Sequence, residues 1–348
     1  MNEPQVTIVV SPRERFSYTR ESLESIYENT QIPFKLVYVD GNSPKKVREY
    51  LQNQAQEKGF KLIRTDYYLT PNTARNIGLA EVDTKYVLFA DNDIIPASGW
   101  LKSLIDCAED TEATVVGPLM FQYLPLHQEI HFAGGESHIV VDKKGRRRLR
   151  EKMYKQGKQI TDPRVKLQRT ATELCEFHCM LVRTDVFKQL GVFDRQILNT
   201  KEHIDFCLNV IKTGGSVYFE PASLVTYVPT SPLKFSDLHY YMLRWSDAWE
   251  LQSLSRLRQK WNLAEDGYFQ HKYKALGWRR RSTILMPIVR FLTLGIKNQF
   301  LEKVLMYGLF APVEKLLNRY LTSVYAKKYL QPQTNPAIAS QQTLSPEA

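Results

Sequence analysis

The chain has 348 residues, 43% of them hydrophobic and 24% charged, an ordinary soluble composition with length for one large or two modest domains. Its net charge of +10 suits anionic partners: nucleotide diphosphates, acidic polymers or an anionic membrane surface. With no zinc finger, aromatic RNA-binding signature or basic region leading into heptads, nucleic acid is set aside as a partner. The four cysteines, Cys107, Cys175, Cys179 and Cys207, are too few and scattered for a disulfide framework. Cys175, His178 and Cys179 lack the further ligand a structural zinc needs. The N-terminus shows no basic region before an apolar stretch, and no apolar run reaches the roughly 20 residues of a spanning helix. A cytoplasmic location is the expectation.

Val6-Thr7-Ile8-Val9-Val10 reads as a buried strand ended by Ser11-Pro12, and 18–28 as a helix with Leu23, Ile26 and Tyr27 on one face. A second strand, 34–39, runs into the turn-rich Asp40-Gly41-Asn42-Ser43-Pro44. A polar helix over 45–58, a short strand over 60–63 and one or two helical turns over 73–79 follow. Then comes the stretch that organises the chain. Tyr86-Val87-Leu88-Phe89-Ala90 feeds straight into Asp91-Asn92-Asp93, a buried strand presenting two carboxylates at its C-terminal end. In open α/β sheets the ligand crevice lies beyond those ends. Paired carboxylates there repel unless a cation sits between them, and oxygen ligands suit Mg²⁺ or Mn²⁺. A helix over 100–110 and a strand over 114–117 complete a strand–helix alternation that predicts a mostly parallel sheet.

From 121 to 172 the pattern degrades into an irregular insertion, with the basic run 143–148 expected as a solvated hairpin. Regularity returns with a strand over 179–183, a helix over 185–191, and a helix over 201–213 with Thr200 as N-cap. The buried stripe of that last helix is expected to be Ile204, Cys207, Leu208 and Ile211, with Glu202 and Asp205 sharing another side. A strand over 216–219 closes the first domain, taken as 1–232. The second region, 233–330, opens with one long aromatic helix over 238–261, expected to pack against the first domain rather than bind a sugar. Its basic Trp278-Arg279-Arg280-Arg281 precedes the apolar 284–292, which fits a membrane interface or a core helix equally well. The Pro-, Gln- and Ser-rich tail over 331–348 is expected to be disordered.

Taken together, these motifs resemble the family-2 glycosyltransferases of the GT-A fold over roughly residues 4–230. Asn72-Thr73-Ala74-Arg75-Asn76-Ile77-Gly78 is similar to the family's A-R-N-x-G segment, correctly placed before the Asp91-x-Asp93 strand. Leu181-Val182-Arg183 through Gly191-Val192-Phe193-Asp194 is similar to its L-x-R … G-x-F-D stretch, and Glu202-x-x-Asp205 to its E-D-x-D helix. The resemblance implies an α/β GT-A fold with a C-terminal helical extension. It implies a metal-dependent, inverting transfer from a nucleotide-sugar donor (UDP-, GDP- or dTDP-linked) to a saccharide or lipid-linked acceptor in surface polysaccharide or glycolipid synthesis. Ser11, Pro12, Arg13, Asp40, Asn72, Arg75 and Asp91 would then hold the donor, with Asp40 on the base and Arg75 forked onto the diphosphate. Asp91 and Asp93 would hold Mn²⁺ or Mg²⁺.

Two residues depart from the family pattern. His203 replaces the Asp of E-D-x-D, which leaves the general base open among Glu202, His203 and Asp205. Tyr227 stands where the family often has a His, so a metal or phosphate contact from that strand is in doubt. Two other readings compete. A nucleotidyltransferase also uses paired carboxylates, but Ser11-Pro12-Arg13-Glu14-Arg15-Phe16 lacks the glycine-rich loop that class uses for a triphosphate. A binding module that has lost catalysis is favoured only by His203.

Overall fold

A computed structural model describes residues 3–228, 233–293 and 298–330; the tail over 331–348 lies outside the described residues. The apolar runs form the expected strands: β1 (Val6–Ser11), β2 (Lys35–Gly41), β3 (Lys61–Thr65) and β4 (Tyr86–Asp91). Every residue of β1 and β4 is buried, because helices cover both faces. Each fully buried Val, Leu or Phe there contributes about 1.5–3 kcal/mol.

The remaining strands are β5 (Ile94–Pro96), β6 (Val115–Gln122), β7 (Glu129–Phe132), β8 (Gly135–Val141), β9 (Arg147–Met153), β10 (Thr170–Thr172), β11 (Cys179–Arg183) and β12 (Val217–Tyr227). The main sheet runs β10-β12-β6-β11-β4-β1-β2-β3, with β5 on β12 and β7 on β6. β1, β2, β3 and β4 are mutually parallel, while β11 is antiparallel to both β4 and β6. The chain leaves β1 toward β2 and β3 and returns to its other side as β4, so the strand order reverses between β1 and β4. Ser11 pairs with Asp91 at that switch point, where a ligand crevice belongs.

The helices of this half are α1 (Thr19–Asn29), α2 (Lys45–Lys58), α3 (Pro71–Leu79), α4 (Trp100–Thr111), α5 (Val186–Leu190) and α6 (Glu202–Lys212). Gly78 sets how closely α3 approaches the sheet: a Cβ there would stand 2.2 Å from Val9 Cγ1 of β1. Asn76 fixes the other side of α3, its amide donating to Phe193 O (2.8 Å) and accepting from Phe193 N (2.9 Å). Asn72 adds a bond to Asp194 O. Two motifs far apart in sequence are thus one bonded unit.

The structure differs from the sequence expectations in four places. The 121–172 stretch is largely ordered, carrying the end of β6 and all of β7–β10. β8 and β9 pair as a separate two-stranded sheet whose connecting turn holds Lys143 to Arg146, the expected solvated hairpin. The N-cap of α6 is Lys201 in a left-handed conformation (φ 68°), not Thr200, and Ile211 is exposed while Phe206 and Val210 are buried. The last strand is longer than 216–219, continuing past a register shift between Glu220 and Leu224.

The fourth difference is the long helix over 238–261, which breaks into α7 (Leu238–Arg244) and α8 (Asp247–Trp261). Ser246 caps α8, its hydroxyl accepting from Trp249 N, so the chain turns where the aromatic pattern runs on. Then come α9 (Gly267–Lys274) and α10 (Trp278–Arg280), which passes through a π-helical turn into α11 (Met286–Leu292). Last, α12 (Gln299–Lys303) runs through π-helical Val304–Phe310 into α13 (Ala311–Tyr325). Among the described residues, no helix is long and apolar enough to cross a membrane.

Candidate active site

Asp91, Asn92 and Asp93 are at most 1% exposed at the end of β4. Asn92 is the structural pin of the three. Its amide donates to Arg15 O and Thr19 Oγ1 and accepts from Arg13 N, tying the loop after β1 to β4. Asp91 is surrounded by cations and an imidazole. Its Oδ2 lies 3.3 Å from Arg13 Nη1 and 3.0 Å from His178 Nδ1, and its Oδ1 lies 3.6 Å from Arg75 Nη2. Burial alone would raise its carboxyl, but His178, Arg13 and Arg75 outweigh that and hold it at about 2. Asp93 has the opposite fate. Among the described residues neither of its carboxylate oxygens has a hydrogen-bond partner, and burial together with Asp91 pushes its pKa well up.

His178 reaches this point through strand register. β11 pairs antiparallel with β4, Cys179 opposite Ala90, so the preceding residue lies against Asp91, whose backbone N–H donates to His178 O. Burial and the nearby Arg13 pull its imidazole down to about 4, so it is neutral near pH 7. Its Nδ1 is buried against Asp91 Oδ2, and one ligand atom each from Asp91, Asp93 and His178 lie within 4.8 Å of one another. Two carboxylates and a neutral imidazole, with orphaned polar atoms facing one point, fit a divalent cation.

Behind this cluster the guanidinium of Arg75, buried over the ring of Phe177 at 4.0 Å, spans Asp91 and Glu202. Burial pulls Arg75 down from the usual guanidinium range, and its Nε has no partner among the described residues. Arg244 of α7 joins from the C-terminal region, with Nε on Arg13 O at 3.0 Å and Nη2 3.4 Å from Glu202 Oε1. Although burial opposes it, Arg244 and Arg75 hold the Glu202 carboxyl below its ordinary value.

A cavity of about 530 Å³ opens beside the cluster, and Arg13, His131, Glu176, His178, Glu202 and His203 all line it. Burial lowers the His203 pKa against the pull of Glu176 and Glu202, so this imidazole is neutral and able to accept a proton. On the facing wall, His131 Nε2 lies 2.8 Å from Glu176 Oε2 and its Nδ1 2.9 Å from Gln122 Oε1. Glu176 is held well below the carboxylate range by His131, His178 and His203 in spite of burial.

The structure therefore brings together Arg13, Asn72, Arg75, Asp91, Asp93, Glu202 and His203. Ser11 and Pro12 border them at the end of β1, and Pro12 O accepts from Tyr240. Asp40 stands one strand over, where it accepts from Ser43 N and Oγ and pairs with Arg64. Asp205 does not reach the cavity: its oxygens are taken by Trp261 Nε1 (2.8 Å) and Lys260 Nζ (2.7 Å) of α8. Tyr227 donates to Glu14 Oε1, and its ring centroid lies 4.2 Å from that of His178. Sequence reasoning missed Glu176 and Arg244 entirely. It also missed Trp245, which lines the cavity and donates to Glu14 Oε2. Arg244 and Trp245 sit in an aromatic stretch read as packing, and only a tertiary contact reveals them.

The sequence model described as glycosyl transferase family 2 matches residues 7–191. The chain belongs to glycosyltransferase family 2. It is 26% identical over 234 residues to the pre-mycofactocin glycosyltransferase of Mycobacterium tuberculosis, a stretch covering 64% of this chain and 42% of that relative. An uncharacterized glycosyltransferase of Rickettsia bellii is 24% identical over 93 residues, 27% of this chain and 13% of the relative. The chain thus spans less than half the length of these curated relatives. Among solved structures, one of GalNAc-T7 with UDP, GalNAc and Mn²⁺ superposes with a TM-score of 0.49 at 15% identity, covering 79% of this chain and 56% of that one. A likeness of that size adds nothing to what the sheet topology already shows.

Proposed function

We propose that this family-2 glycosyltransferase moves a sugar from a nucleotide-diphosphate donor to an acceptor hydroxyl, with a divalent cation held by Asp91, Asp93 and His178. The observation that carries the reading is Asp93, a fully buried carboxylate whose two oxygens are unpartnered among the described residues, next to a second carboxylate. When bound, the cation supplies charge neutralisation for the departing diphosphate. The carboxylate–imidazole donor set favours Mn²⁺ over Mg²⁺. Arg13, which lines the cavity, is suited to fork onto phosphate oxygens, and Arg75 behind it adds a second guanidinium beside Asp91.

On the cavity side His203 is the residue we assign as general base. Glu202 is committed to two guanidiniums and Asp205 to α8, whereas His203 is neutral and faces the cavity. Inversion at the anomeric centre is the outcome that the family resemblance implies for a base in this role. Surface polysaccharide or glycolipid synthesis, in the cytoplasm at the inner face of the plasma membrane, is the setting in which a saccharide or lipid-linked acceptor would be met.

The test is nucleotide diphosphate release from UDP-, GDP- and dTDP-sugars with Mn²⁺ or Mg²⁺. One donor is expected to turn over, with Asp93→Ala lowering the rate by about 10²–10³-fold. Full, metal-dependent turnover by Asp93→Ala would overturn the site assignment. Donor binding by calorimetry with no release in the presence of acceptors would favour a binding module instead.

A further inference from the structure

Helix α13 is built inside out. Its buried positions, Glu314, Asn318, Thr322 and Tyr325, recur at helical spacing and carry polar groups. Each of three reaches the rest of the protein: Arg280 Nε donates to Glu314 Oε1 at 2.5 Å, Asn318 Nδ2 to Met242 O at 2.7 Å, and the Tyr325 hydroxyl to Tyr68 O. The outward positions are apolar, with Leu316 and Tyr320 exposed by 66% and 65%. A helix on a water-facing surface does the reverse. The apolar exterior continues along α11 and α12, where Phe291 is 78% and Phe300 77% exposed. So many large apolar side chains exposed on neighbouring helices mark an interaction face.

Charge identifies what it meets. Residues 276–330 hold ten Lys and Arg against Glu302 and Glu314, so this segment supplies eight of the chain's ten net positive charges. Arg280 and Glu314 are spent on each other in the interior, while Arg290, Lys315, Arg319, Lys327 and Lys328 are exposed. Two copies of so cationic a face repel, and a neutral apolar partner leaves the charges idle. An anionic bilayer takes both the apolar side chains and the cations.

We infer that α11, α12 and α13 form a platform that lies flat on an anionic membrane, apolar side chains at the headgroup–acyl boundary and cations on the headgroups. This deepens the peripheral location proposed for the transferase and rests on it only in assigning the acceptor. Trp278 and Arg279 line the active-site cavity and lead directly into the platform, so the cavity opens beside the membrane surface. The acceptor class this geometry fits is one whose hydroxyl is presented from a lipid headgroup or a lipid-linked glycan.

The test is flotation of the full chain with phosphatidylcholine vesicles that contain or lack phosphatidylglycerol. Association is expected only with the anionic vesicles and is expected to weaken as salt rises. Lys327→Glu with Lys328→Glu should lower partitioning about tenfold or more. Leu316→Asp with Tyr320→Asp should abolish it without moving the thermal unfolding midpoint, since both side chains point away from the protein. Absence of flotation would overturn the inference. So would a concentration-dependent dimer that the Leu316 and Tyr320 changes dissolve, since the face would then be a self-association surface. Donor hydrolysis is read in parallel without vesicles. Flotation with neither donor hydrolysis nor transfer to added acceptors sinks the transferase reading and leaves the platform standing; donor turnover without flotation does the converse.

Discussion

Asp91 and Asp93 lie two positions apart and titrate in opposite directions because of what surrounds them. For Asp91 the carboxyl is held at about 2 against an ordinary 3.8, so it stabilises the fold above that ordinary value and the contribution is lost as pH falls toward about 2. For Asp93 the shift is upward, so its contribution is present at low pH and disappears as pH rises through its raised value. Near neutral pH the metal-free protein therefore carries a cost at Asp93. Asp93→Asn is expected to raise metal-free stability by about 1–3 kcal/mol in denaturant titrations. Mn²⁺ is expected to raise the unfolding midpoint of the wild type, and the same change should remove that rise. His203 makes a separate pH prediction. A base works when unprotonated, and burial lowers this one, so the acid limb of kcat/KM should fall below the usual histidine range and vanish in His203→Gln.

At the scale of elements, α3 is the piece whose placement everything at the cluster depends on. Gly78→Ala forces a methyl group into Val9, and the overpacking should cost about 1–3 kcal/mol and slow donor hydrolysis, because Arg75 and Asn72 ride on the same helix. The glycine and asparagine of that motif were visible in sequence, but their reasons were not: one needs β1 and the other needs Phe193, both far along the chain. The central strands were legible because burial on both faces writes an unbroken apolar run. β7 to β10 were not: β7 and β10 are only three or four residues long, and β8 and β9 form a separate two-stranded sheet with mixed polar and apolar positions. Nor was the break between α7 and α8, where Ser246 is a readable cap that the run of aromatics overrode. His178 could be placed only by knowing that β11 pairs with β4, a register no local pattern records.

At the scale of the whole molecule, the matched family stretch and the C-terminal helices build one site. Arg244 bonds to Arg13 O and pairs with Glu202, Trp245 donates to Glu14, and Tyr325 reaches Tyr68. A chain ending at residue 232 retains Asp91, Asp93 and His178 yet loses a guanidinium from beside Glu202. It is expected to release no nucleotide diphosphate, whereas the Leu316 and Tyr320 surface variants hydrolyse donor at the wild-type rate in the absence of vesicles.

Across the buried cluster, Arg13, Arg75 and Arg244 stand against Asp91, Asp93 and Glu202, and their formal charges cancel. A diphosphate entering by itself upsets that balance in one direction and a divalent cation by itself upsets it in the other. Arriving together, they leave it nearly even. The two affinities must then be coupled, and by thermodynamic reciprocity the factor by which Mn²⁺ tightens the nucleotide equals the factor by which the nucleotide tightens Mn²⁺. On the proposed reading, loss of either after transfer would loosen the other and so help the site to empty itself of product.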